Sequence, residues 1–251
     1  MGKIFAIVNQ KGGVGKTTTA VNLSSALHEL GLRTLLCDFD PQANATSGLG
    51  IEKRKIKNSV YDVVINGVDP KEAIVQTPYG DVLPSSSDLA GAAVELIGMD
   101  SREYQLKNAL AKLRFDYDVI FIDCPPSLEL LTLNGLCAAD SIVVPVQCEY
   151  YALEGLADLM NTLRAVKRKL NPNLNIFGVI LTMFDGRTNF TNQVAQEVRQ
   201  HFPGKVFANV IPRNVRLAEA PSHGIPVMHY DRSSRGSVAY RNLAEEFKAK
   251  L

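Results

Sequence analysis

Short apolar runs recur along the chain, rich in β-branched residues and bounded by glycine, proline and polar residues: 4–8, 34–38, 82–84, 117–123, 141–146, 176–182 and 205–209. Runs of this length without polar alternation predict strands buried on both faces of a parallel sheet. Between them the spacing switches to a helical period. Val21, Leu23, Ala26, Leu27 and Leu30 recur at that period after Thr18, and Gly31 ends the pattern. Further helices are expected over 87–99, 101–113 and 127–136, from 148 to near 170, and over 190–202 and 237–251. In the second of these Tyr104, Ala109, Leu110 and Leu113 face inward. In the last, Val238, Leu243, Phe247 and Leu251 form one stripe, read as a docked core face and not a membrane anchor. Asp69, Pro70 and Glu72 mark a helix start, and Ser127 is placed to cap the helix behind it. Strands alternate with helices and no linker-like stretch intervenes. The expectation is one α/β domain over residues 1–251, a doubly wound, mostly parallel sheet with helices on both faces.

Composition narrows the class. With a net charge of only +1 over 251 residues, any grip on nucleic acid must come from a local patch and not a global field. No apolar run is long enough to cross a bilayer, and the first residues read as a strand and not a signal peptide. The expected location is cytoplasmic. Cys37, Cys124, Cys137 and Cys148 lack CxxC spacing and read as reduced core thiols. The charge run 52–57 reads as a solvated loop, and His223 as a loop histidine.

The chemistry concentrates in Asn9-Gln10-Lys11-Gly12-Gly13-Val14-Gly15-Lys16-Thr17-Thr18, between the first strand and the first helix. Strand, glycine-rich turn, helix is the context of a phosphate-binding loop, and with it of the P-loop NTPase fold. Gly12, Gly13 and Gly15 let consecutive amides point into one hollow, and the helix N-terminus adds unpaired N–H groups and a positive dipole end. Lys16 is placed to neutralise the outer phosphates and Thr17 to hold Mg²⁺; Val14 and Thr18 complete the cradle. Lys11 is, on physics alone, a second cation beside a polyanion. Asp38 and Asp40 leave the carboxyl end of the second strand, where ligands bind in open parallel sheets. Asp123 closes an apolar strand downstream of the turn, as a Walker B aspartate does, and is expected in the Mg²⁺ shell. Arg187, Arg213, Arg216 and Arg235 are candidate phosphate contacts, or surface arginines.

Gln10 stands where the ordinary pattern has its first glycine, and Lys11 follows it. This resembles the deviant Walker A motif of the ParA/MinD superfamily of ATPases. Residues 40–50, 148–156 and 210–224 resemble the ParA/Soj group within it, and the likeness spans essentially the whole chain. The resemblance implies that Lys11 reaches the phosphates bound by a second subunit and that Asp40 orients or activates the attacking water. It makes Asp38 a Mg²⁺ partner through water. Pro212 and Asn214 would border the adenine, and Arg187 and Arg216 would touch DNA. It further implies an ATP- and Mg²⁺-dependent homodimer that binds DNA of any sequence on the nucleoid. A ParB/Spo0J-type partner would stimulate hydrolysis. Relatives usually carry glycine where this chain has Ala43, which suggests that position 43 needs no positive φ. A MinD-like membrane ATPase would need a basic amphipathic tail, whereas Glu245 and Glu246 lie among the final charges. An iron–sulfur reductase on the same fold would need cysteines in another context. A repressor would need an added N-terminal region, for which no room is expected before Ile4.

Overall fold

A computed structural model describes residues 1–127, 129–149 and 152–251. The first half runs β1 (Lys3–Ile7), α1 (Lys16–Glu29), β2 (Thr34–Asp38), α2 (Asn44–Gly48), α3 (Val60–Val64), α4 (Pro70–Ala73), β3 (Asp81–Leu83), α5 (Leu89–Glu95) and α6 (Gln105–Ala111). The second runs β4 (Val119–Asp123), α7 (Leu130–Ala138), β5 (Ser141–Gln147), α8 (Ala152–Lys169), β6 (Asn175–Thr182), α9 (Asn189–His201), α10 (Arg216–Glu219), α11 (Val227–Tyr230) and α12 (Arg235–Ala249). The six strands form one sheet in the order β3-β2-β4-β1-β5-β6, and every pairing between them is parallel.

Side chains alternate across the strands and build two cores. Ile4, Ala6, Val8, Ile120, Ile122, Ile142 and Val144 face the helices α3 and α5 to α9. Phe5, Ile7, Val119, Phe121 and Val143 face α1, α11 and α12. This is the doubly wound arrangement the apolar runs predict, since a strand covered on both faces has no side left for polar residues. Under the second face Phe247 of α12 packs 4.6 Å from the ring of Phe177 and 5.1 Å from that of Phe5. It also lies 5.9 Å from the ring of Phe207. Gly178 is small for this reason: a Cβ there would lie 2.2 Å from the Phe207 ring.

Several expected boundaries move. Residues 205–209 form no strand; Val206 makes only an isolated parallel bridge to Val179. The segment still satisfies the outer edge of β6, where Phe207 donates to the Val179 carbonyl at 2.9 Å and Ile211 to that of Leu181 at 2.8 Å. At the other edge Val75 and Val82 exchange backbone bonds of 2.8 and 2.9 Å across β3. Val238 faces outward, and the buried stripe of α12 is Tyr240, Leu243, Ala244 and Phe247. Ser127 does not cap α7, which starts at Leu130; its carbonyl accepts the Thr132 hydroxyl instead. The expected helix 87–99 is α5 followed by a 3-10 turn, Leu96–Gly98. Asp69 caps α4 as expected, accepting from the Lys71 amide at 2.9 Å. Tyr150 and Tyr151, in the run that resembles the ParA/Soj group, lie outside the described residues.

Candidate nucleotide-binding site

The parallel sheet brings the carboxyl ends of β1, β2 and β4 side by side. Ile7 pairs with Asp123, and Asp38 pairs with Asp123 from the other side. The glycine-rich turn leaves β1 at the same level and ends at Gly15, which precedes α1 with φ 88°. Gly13 is left-handed as well, at φ 76°. Added Cβ atoms at Gly12 and Gly13 would meet nothing within 4 Å, so the turn faces open space. No side chain caps α1 and no acidic residue occupies its first turn, which leaves its leading amides available to an anion.

The turn is braced from both sides. The Asn9 amide donates to the Pro145 carbonyl at 2.8 Å, and its oxygen accepts the Lys11 N–H at 3.0 Å. The Thr182 hydroxyl, at the end of β6, donates to the Val14 carbonyl at 2.8 Å. Lys16 is buried and its ammonium donates to the Lys11 carbonyl at 3.1 Å. Burial lowers its pKa, while Asp123, Cys124 and Asp40 oppose that shift. The Lys11 ammonium pairs with Glu149.

The carboxylates differ sharply. Asp38 is buried, and its Oδ2 accepts both the amide and the hydroxyl of Thr46 at 2.7 Å. Burial still raises its pKa to about 6. Asp123 is fully buried, and neither of its oxygens has a hydrogen-bond partner among the described residues. Burial, then repulsion from Asp38, pushes it well above the usual carboxylate range; the neighbouring Thr17 hydroxyl and Lys16 ammonium offset part of this. A buried carboxylate with no partner, beside a hydroxyl and a second carboxylate, is the donor set a hard cation such as Mg²⁺ takes. Asp40 is nearly buried, and its Oδ1 accepts from the Gln42 amide at 2.9 Å.

Thus Lys11 to Thr18, Asp38, Asp40 and Asp123 gather at one end of the sheet. Pro212 lies beyond β6, bridged to Phe184. It lines a groove of about 860 Å³ with Arg187, Arg213 and Arg235. Asn214 spends its side-chain oxygen on the Arg216 amide, at 2.9 Å. Arg187 and Arg216 are exposed but paired: Asp185 holds Arg187 by two bonds of 2.7 and 2.8 Å, and Arg216 meets Glu219 at 2.7 Å and Asp231 at 3.3 Å.

Position 43 overturns its expectation. Ala43 takes φ 51° and ψ 43°, a left-handed conformation that costs a residue with a Cβ about 1–2 kcal/mol. A glycine would adopt it freely. Thr46 and Ser85 carry no role in the sequence reading, yet both are fully buried beside the aspartates. Their signal was position: each follows a strand at its carboxyl end, where ligands gather.

A family model described as an AAA domain matches residues 2–176. The sporulation initiation inhibitor protein Soj of Bacillus subtilis (strain 168) is 57% identical over 251 residues, covering 99% of each chain. The chromosome partitioning protein ParA of Myxococcus xanthus (strain DK1622) is 52% identical over 248 residues, covering 98% of this chain and 88% of that one. A solved Mycobacterium smegmatis protein is described as cobyrinic acid a,c-diamide synthase with a bound ATP analogue and magnesium. It matches with a TM-score of 0.85 at 41% identity, over 98% of this chain and 93% of its own. With 57% identity along the full length and the glycine-rich turn, its two lysines and the aspartates in register beside it, the chain belongs to the ParA/Soj family of chromosome-partitioning ATPases.

Proposed function

We propose that ATP joins two copies of this chain and makes them bind DNA of any sequence, and that hydrolysis separates them. The whole chain, residues 1–251, acts as one ATPase unit in this reading. The observation that carries it is the convergence of an open glycine-rich turn, two lysines and an unpartnered buried carboxylate. The amides of residues 12–18 cradle the triphosphate, and Lys16 neutralises its outer charge. Lys11 exchanges Glu149 for the phosphates on the second copy. Pro212 and Asn214 border the base. Thr17 and Asp123 would hold Mg²⁺, with Asp38 behind them through water. When bound, the ion supplies charge neutralisation at the phosphate oxygens.

Asp40 orients the water that attacks the γ-phosphorus as the bond to the β-phosphate oxygen breaks. The protein's contribution is mostly placement and charge. Arg187 and Arg216 exchange their carboxylate partners for DNA phosphates, which positions the dimer on the nucleoid without reading sequence. A ParB/Spo0J-type centromere-binding partner accelerates hydrolysis. The names of the Soj and ParA relatives support the partitioning role. No described helix is long and apolar enough to cross a membrane.

Sedimentation with linear DNA, comparing Mg-ATP with Mg-ADP, tests this. The protein is expected to pellet with DNA at the mass of two copies in ATP and to stay free as one copy in ADP. Equal pelleting in the two nucleotides would overturn the cycle.

A further inference from the structure

The turn that carries Asp40 contains a conformation its own sequence disfavours. Ala43 is buried and left-handed, at φ 51°. Such a residue persists where its surroundings over-determine it. Here the Ala43 amide donates to the Asp40 carbonyl at 2.9 Å, closing a turn over 40–43. The same carbonyl accepts the Ser85 hydroxyl at 2.8 Å. Ser85 follows the edge strand β3 and is fully buried. Its amide donates to the Thr46 hydroxyl oxygen at 3.0 Å, so the backbone beneath it is fixed too. On the far side of the turn, Lys53 reaches the Gln42 carbonyl, and the Ser47 hydroxyl bonds the Ala43 carbonyl at 3.1 Å.

We propose that Ser85 is a positioning residue for ATP hydrolysis: its hydroxyl clamps the Asp40 carbonyl and holds the turn left-handed at Ala43, keeping the Asp40 carboxylate beside the phosphate-binding turn. Ser85 touches neither nucleotide nor water; it acts through Asp40. Ala43 and Ser85 therefore form a coupled pair. Glycine at position 43 reaches the same conformation without strain and makes the clamp dispensable. The proposal rests on the reading of Asp40 as the residue that acts on the attacking water.

The test is single-turnover hydrolysis at saturating Mg-ATP, with ATP affinity measured alongside. Ser85→Ala, Ala43→Gly, their combination and Asp40→Ala are compared with the parent. Loss of one buried hydrogen bond predicts a rate about tenfold lower for Ser85→Ala, with ATP affinity within about twofold of the parent. Adding Ala43→Gly to Ser85→Ala is expected to return most of the rate, a non-additive coupling that general loosening of the core would not give. A parent rate in Ser85→Ala, or a double variant as slow as the single one, overturns the clamp. A parent rate in Asp40→Ala overturns the underlying reading instead, whatever Ser85→Ala does. Should Ser85→Ala fold too poorly to assay, Ser85→Gly, which also removes the donor, is judged by the same two outcomes.

Discussion

Asp123 is a carboxylate held in the core, and neither of its oxygens has a hydrogen-bond partner among the described residues. Such a group costs the fold about 1–3 kcal/mol, and each kcal/mol moves melting by roughly 2–4 °C in a chain of this size. Asp123→Asn is therefore expected to raise the melting temperature by several degrees at neutral pH, measured by calorimetry without nucleotide or Mg²⁺. Because burial raises its pKa, the folded chain keeps a proton that the unfolded chain has already released. The penalty is full above the raised value and fades as pH falls toward the ordinary value near 4. Parent and variant should converge over that window; a gap independent of pH would remove burial of charge as its cause. Lys16→Ala should abolish ATP binding in a titration, since the cradle then loses its buried cation. The turn and both strand-end aspartates were legible because each sits in one short stretch. The left-handed Ala43 was not: its turn is bonded at the Asp40 carbonyl by Ser85, 45 residues along the chain from Asp40, and local sequence records no such partner.

At the level of elements, runs of apolar residues identified all six strands, because a strand covered on both faces needs such a run. The same rule over-reached at 205–209, where Phe207 is buried but the backbone bonds Val179 and Leu181 too sparsely to make a strand. Helix ends drifted where the expected cap was absent, as at Ser127. In α12 the periodicity was right and one member of the stripe wrong. Val238 looks outward at 45% exposure while Phe247 is fully covered. Phe247→Ala should cost about 3–5 kcal/mol in urea unfolding, since it empties the contact with Phe5, Phe177 and Phe207. Val238→Ala should stay within about 0.5 kcal/mol. Equal costs would mean that α12 does not dock through this ring cluster.

For the whole molecule, a balanced charge means that the DNA binding proposed above would rest on local cations. Arg216→Glu should weaken DNA retention in a gel shift by at least about tenfold while sparing ATP affinity, because it sets a carboxylate among Glu219 and Asp231. Retention equal to the parent would take Arg216 off the DNA surface. The chain itself covers part of both margins of the sheet, at Val75 along β3 and at residues 205–211 along β6. That cover blunts both edges against the zipping of backbones between molecules, the kind of union that hardens into fibres. In the proposed cycle two copies would then meet through loops and side chains, and one broken phosphate linkage would release them.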